Sequence, residues 1–176
     1  GVATYSGVSA AYQGAISGLG SIVVNGVRFE TTDAVVYDSD DFSARYDNST
    51  STFKSPLSLG MTVALFGDVD DGQNLGRAAR IRVVGGVRAT MTAIDTTALT
   101  LTLPAQTIQL SSATTYGGTS DGTATGSPIT NLTQLAALSN HPLLTVYGQP
   151  QSDGRFLASR VVVTSAAAHD MDVAVR

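Results

Sequence analysis

The residues of this chain that could do chemistry are two acidic runs, two histidines and a scatter of arginines. Asp38, Asp40 and Asp41, with Asp47 beyond them, make one run, and Asp68, Asp70 and Asp71 make the other. Oxygen-rich loops hold Ca²⁺ when their ligands are spaced to wrap it. The second run begins like a calcium-binding loop, but Gln73 and Ala79 stand where its sixth-position Gly and twelfth-position Glu belong. Asp and Gly are also ordinary turn residues, so solvated turns are the simpler reading of both runs.

His141 and His169 are the only histidines. A catalytic triad needs a His beside a nucleophile and an orienting acid, and no G-x-S-x-G elbow is present. His141 precedes Pro142 at a strand entry, where a turn role suffices, and His169 lies near the C-terminus beside Asp170 and Asp172. Glycosidase chemistry needs paired carboxylates, yet Glu30 is the single Glu and sits in a strand-like run. With no Cys, thiolate metal sites and a Cys nucleophile are excluded. No catalytic residue, cofactor site or metal ligand is therefore assigned.

Arg80 and Arg160 fall at matching places in two similar segments, with Arg28, Arg77, Arg82, Arg88 and Arg155 nearby. Binders of single-stranded nucleic acid combine such charge with a platform of stacking aromatics. The aromatics on strand-like runs here are Phe29, Phe66, Tyr147 and Phe156, most of which packing would claim for a core. The net charge of −4 argues in the same direction, so no nucleic-acid partner is expected.

The elements that must position these groups read as β-structure. The chain is rich in Thr, Val, Ser, Ala and Gly and carries only 14% charged residues. Thr and Val favour pleated, half-buried strands, and Gly marks turns. Residues 1–13 are small and weakly patterned and read as a lead-in. Strand signals begin at Ser21-Ile22-Val23-Val24, and Asn25-Gly26 before Val27-Arg28-Phe29 is a strong hairpin signal. The polar stretch from Asp38 to Ser55 reads as a loop, Met61–Phe66 as a buried strand, and Ala78–Val84 as a half-exposed one.

The pattern then recurs. Ser21–Tyr37 aligns without a gap on Thr100–Tyr116, placing Phe29 on Ile108 and Tyr37 on Tyr116. Val63–Gly67 matches Leu144–Gly148, Asp71-Gly72 matches Asp153-Gly154, and Ala78–Val83 matches Ala158–Val163. In the second copy five strands are expected near Arg88–Asp95, Leu99–Leu103, Gln106–Leu110, Leu143–Gly148 and Phe156–Val163. Gly117–Pro128 reads as a polar loop. Ile129–Ser139 reads as a short helix capped by Thr130 or Asn131.

The expected fold is thus all-β: two tandem five-stranded OB-like barrels with a short helix between the third and fourth strands, Ile129–Ser139 being the only convincing helix-like stretch. A five-stranded meander or a small sandwich fits the same string. The repeats are placed at 14–84 and 85–164, with a C-terminal tail at 165–176. The two Asp-Gly turns should cap the hairpin between the fourth and fifth strands, acidic in the first copy and neutral in the second.

The motif Gly20-Ser21-Ile22-Val23-Val24-Asn25-Gly26-Val27-Arg28-Phe29, continued by Leu57-Ser58-Leu59-Gly60-Met61-Thr62-Val63, Gly67, Asp71-Gly72 and Ala79-Arg80-Ile81, resembles the domain-of-unknown-function family 5666. The second copy carries it as Met91–Asp95, Leu99–Leu101, Gly148, Asp153-Gly154 and Ser159-Arg160-Val161. It departs from the pattern where His141-Pro142 replaces Gly60-Met61 and Pro104-Ala105 replaces Asn25-Gly26. The resemblance covers residues 14–163. It implies an OB-like repeat with no known catalytic residues, in exported, often lipid-anchored bacterial envelope proteins.

The expected role that follows is a non-enzymatic scaffold or interaction module, periplasmic or in the cell envelope, with a protein or glycan partner. A ligand-binding OB-type protein for oligosaccharide or single-stranded nucleic acid is the alternative. No apolar run reaches the ~18 residues of a spanning helix. The chain opens on Gly1-Val2-Ala3 rather than Met and reads as trimmed, so any signal or lipidated Cys would have stood ahead of it, and whether one did is not legible. Oligomeric state is not legible.

Overall fold

The computed structural model describes residues 8–19, 21–32, 34–38, 41–47, 57–70, 72–84 and 86–165. The chain divides into two compact units, Gly1–Gly85 and Gly86–Arg176. Both are built of β-strands.

In the first unit β1 (Val8–Gly18), β2 (Ile22–Val24) and β3 (Val27–Glu30) are followed by β4 (Val35–Asp38), β5 (Asp41–Asp47), β6 (Thr62–Asp70) and β7 (Leu75–Val83). Antiparallel pairing joins β3 to β2, β2 to β1, β1 to β6 and β6 to β7. A parallel pairing of β3 with β7 then closes a five-strand barrel. β4 joins the far part of β7 in parallel, and β5 pairs with β4 at the sheet's outer edge.

Alternation drives the closure. Val24, Phe29, Val36, Val63, Leu65 and Ile81 are fully buried, while the alternating neighbours Arg28, Glu30, Phe66, Arg80 and Arg82 are exposed. The Tyr12 ring meets Phe29 edge-on at 5.3 Å.

The second unit has β8 (Val87–Thr90), β9 (Ala93–Asp95), β10 (Thr100–Leu103), β11 (Gln106–Gln109), β12 (Thr115–Gly118), helix α1 (Leu132–Ala136), β13 (Leu143–Pro150) and β14 (Phe156–Ser165). The sheet runs β8-β13-β14-β11-β10-β9, with β12 also on β14. Only Met91 and Thr92 separate the two end strands, β8 and β9, along the chain. Leu101, Ile108, Leu110, Leu135, Leu144 and Val146 form the core with Val161.

Several expectations need correction. Val8–Gln13 are not lead-in: they are the first half of β1, paired with β6 from Val8↔Val69 onward. Their small side chains hid the strand, because Ala and Ser carry little strand preference. β5 lies inside the stretch read as a loop, and β12 in the segment leading to Gly117–Pro128 was also missed. The helix is shorter than 129–139, and an equivalent in the first copy would fall in a stretch that includes residues 48–56, outside the described residues. The expected tail begins one residue too early, since Ser165 still belongs to β14; 166–176 lie outside the described residues.

The gapless alignment holds only as far as Phe29 and Ile108. Phe29 pairs with Gly76, and Ile108 with Phe156. Val35 pairs with Arg80, and Thr115 with Arg160. Five residues separate Phe29 from Val35, but six separate Ile108 from Thr115. The second copy carries one extra residue near Leu110, so Tyr116 takes the place of Val36 and Gly117 that of Tyr37. A one-residue slip exchanges the faces of a strand, which is why matching the two tyrosines misplaces both.

Backbone devices repeat more faithfully than side chains. Each copy has a bulge at the same point, between Phe66 and Gly67 and between Tyr147 and Gly148. At both glycines a Cβ would run into a carbonyl oxygen of the facing strand, that of Arg77 or of Leu157. Gly60 has φ 88° and His141 has φ 47°, so the substituted residue keeps the left-handed turn. Asn25 and Gly26 both take positive φ, as a type I′ turn requires. Neither Pro104 nor Ala105 does, so that hairpin turns by another geometry.

Candidate functional site

The acidic runs lie only partly within the described residues. Asp38 lies in β4 and Asp41 and Asp47 in β5, while Asp40 and Asp71 lie outside the described residues. Asp68 Oδ1 accepts from Ser9 Oγ at 3.3 Å, and Asp70 Oδ1 accepts from the Gly72 N–H at 3.1 Å. The second contact is an Asx-turn. Among the described residues no three His, Asp or Glu side chains are placed to share a metal ion.

His141 is an exposed turn residue whose Nδ1 lies 3.2 Å from the Met91 carbonyl. His169, Asp170 and Asp172 lie outside the described residues. Glu30 faces Arg77 at 3.7 Å across β3 and β7. Both side chains are well exposed, so this pair contributes little.

Helix α1 is held by a cap rather than by propensity. Asn131 Oδ1 accepts from the Gln134 N–H at 2.9 Å, and Gln134 Oε1 reaches back to the Thr130 N–H at 2.6 Å. The cap seats Leu135, fully buried, over the second core.

Two surfaces stand out. The first lies in the second unit, between the β10–β11 hairpin and the β13–β14 loop. It is an open cleft of about 590 Å³, lined by Thr102, Gln106, Thr107, Asp153, Gly154 and Arg155 among others. Gln106 Nε2 donates to the Gly154 carbonyl at 2.9 Å, tying hairpin to loop. Arg155 Nη1 donates to Gln109 Oε1 at 2.7 Å, and Asp153 Oδ1 accepts from the Arg155 N–H at 2.9 Å. The lining supplies hydrogen-bond donors and acceptors, with no nucleophile held against a base.

The second surface is on the outer face of β1, β6 and β7. Phe66 is 50% exposed there, and the Arg80 guanidinium sits 5.2 Å from its ring centroid. The equivalent residues Tyr147 and Arg160 are also strand partners, but their fate differs. Arg160 folds inward and donates through Nη1 to Thr115 Oγ1 at 3.2 Å and to the Tyr116 carbonyl at 3.4 Å. Gly117 makes room, since a Cβ there would collide with Nη2. Burial lowers the Arg160 pKa, with Tyr147 pulling weakly the other way. Burial likewise raises the Tyr116 phenol.

Phe66 is an exposed aromatic that the sequence reading did not set apart from the core, because Met61–Phe66 reads as one buried run. Strict alternation from Val63 and Leu65, both fully buried, would have turned Phe66 outward. Phe29 is core, as expected of a strand aromatic, and Tyr147 and Phe156 are half-buried.

These features define an all-β barrel protein with a repeated bulge and no assembled catalytic group among the described residues. The chain belongs to the family described as Domain of unknown function (DUF5666), whose model matches twice, over residues 13–82 and 88–162. No curated protein and no solved structure matches it.

Proposed function

We propose that this chain is a non-enzymatic module of the bacterial cell envelope, periplasmic or lipid-anchored, in which two OB-like barrels present a binding surface to a protein or glycan partner. Number the barrel strands one to five as β1, β2, β3, β6 and β7. The ring then runs one-two-three-five-four, with three and five parallel, and β8/β9, β10, β11, β13 and β14 pair in the same order. That order supports an OB-type fold for both copies. The envelope assignment rests on the resemblance to exported proteins. No helix among the described residues is long and apolar enough to cross a membrane.

The observation that carries the reading is the cleft of the second copy. It lies between the second–third-strand hairpin and the loop joining strands four and five, the second of which is one of the loops that border the usual binding face of OB barrels. Its groups are neutral apart from Asp153 and Arg155, which suits a hydroxyl-rich glycan better than a polyphosphate. The test is amide chemical-shift mapping of the whole chain against a panel of envelope oligosaccharides and a single-stranded oligonucleotide at low salt. Shifts from a glycan at Thr102–Thr107 and Asp153–Arg155, with the glycan recovered intact, support the proposal. Cleavage of the glycan, or tighter binding of the oligonucleotide, overturns it.

A further inference from the structure

We propose a second, anion-specific site on the first copy: the Phe66–Arg80 groove binds a hexuronic acid residue of an anionic polysaccharide through its carboxylate. The site lies on the outer face of the barrel and does not depend on the second copy's cleft.

The groove, of about 430 Å³, is floored by Ala11 and Ala79 and walled by Phe66, Arg80, Asp68 and Ser9. A half-exposed Phe on a strand whose core positions are filled by Val63 and Leu65 has no packing duty. What it does is hold Arg80. A guanidinium over an aromatic face is fixed in orientation while its N–H edge stays outward. Among the described residues that guanidinium donates no hydrogen bond and joins no ion pair, whereas its counterpart Arg160 is used up inside the second copy. A planar, oriented fork of free donors matches a carboxylate in two-point contact.

The neighbours narrow the ligand. Asp68 lines the same groove, and like-charge repulsion at a few ångströms grows with ligand charge. A singly charged carboxylate is therefore favoured over a dianionic phosphate or a run of acidic residues. Asp68 and Ser9 offer an acceptor and a hydroxyl for the sugar's hydroxyl groups. The Phe66 edge, Ala11 and Ala79 give its C–H face a flat apolar bed. A pyranose uronate carries all three features on one ring.

The test is calorimetric and amide-shift titration of the full chain at low salt with short oligogalacturonate, its methyl ester, a Glu-rich peptide and inorganic phosphate. Oligogalacturonate should bind, moving the signals of Ala11, Phe66, Asp68 and Arg80, and binding should weaken with salt. Arg80→Gln should weaken it by about tenfold or more, the usual loss for a charge-assisted contact. Arg80→Lys should fall between, because an ammonium makes no two-point contact, and Phe66→Ala should weaken binding by freeing Arg80. Arg88→Gln, an equal charge change at an exposed position of β8, should bind as wild type does. The proposal is overturned if oligogalacturonate does not bind, if its methyl ester, the peptide or phosphate binds as tightly, or if Arg80→Gln binds unchanged while still folded by its amide spectrum. None of these variants touches the second copy's cleft, so failure here leaves the glycan reading of that cleft standing on its own test.

Discussion

Gly76 stands opposite Phe29 across the parallel pair β3–β7, and the Phe29 ring comes within 2.7 Å of where a Gly76 Cβ would lie. The Asp68 carbonyl is 2.8 Å from the same point. Gly76→Ala should therefore destabilise the first copy by about 1–3 kcal/mol, the range for overpacking a filled core. A second change, Phe29→Leu, should recover only part of the loss, because the Asp68 carbonyl remains. Denaturant unfolding of the three proteins checks this, and a neutral Gly76→Ala would contradict the packing.

Gly67→Ala and Gly148→Ala should both cost more than Gly76→Ala. At the bulges the obstacle is backbone on the facing strand, which no side-chain rotation can clear. The two costs should be alike, since the bulge sits at the same register in each copy. Hydrogen exchange along β7 and β14 would show which copy opens in each variant.

The left-handed turns of the two copies should respond in opposite senses. Gly60→Ala should cost about 1–2 kcal/mol, because an L-residue at φ 88° crowds its own Cβ. His141→Gly should be close to neutral, strain relief at φ 47° offsetting the added freedom of the unfolded chain. Thermal unfolding checks both, and a large loss in His141→Gly would assign its ring a role beyond the turn.

Asn131→Ala should destabilise the second copy by about 1 kcal/mol, the usual value of an N-cap. The side chain it removes accepts the Gln134 N–H. With only five residues, α1 has little else to start it. Amide exchange at Gln134 and Leu135 should quicken most.

Acid should weaken the second copy at two exposed turns. Backbone N–H groups of Ala98 and Thr97 lower the pKa of Asp95, and the Thr123 backbone and hydroxyl do the same for Asp121. A depressed folded pKa means stability that is fully present above the ordinary value of 3.8 and lost as pH falls through the folded value. Asp95→Asn with Asp121→Asn should flatten the acid limb of stability while changing little near neutrality, as pH-dependent unfolding would report.

Where hydrophobic alternation or turn chemistry was strong, the fold was legible. Asn25-Gly26, Val63 and Leu65, and the Arg80/Arg160 equivalence are all readable from residue type and spacing. β1, β5 and β12 were not, for a shared reason: each lies at a small, polar or glycine-rich stretch whose pairing is decided by a neighbouring strand. The extra residue near Leu110 was hidden because two tyrosines happened to coincide. At the candidate site, alternation could have exposed Phe66. The opposite fates of Arg80 and Arg160 could not be read, since they turn on Gly117, a residue distant in sequence that leaves room for one guanidinium to fold inward.

The exchange of bulk between copies has a consequence for how the chain comes to be folded at all. Phe29 faces Gly76 in one ring, whereas Ile108 faces Phe156 in the other. Tandem repeats with one topology are prone to misassembly, a strand of one copy entering the ring of its sibling during synthesis. Here such a hybrid would press Phe29 against Phe156 or leave Ile108 over a bare glycine. Either hybrid would pack worse than the native pair, one by crowding and the other by a void, so the difference in bulk favours each third strand in its own ring.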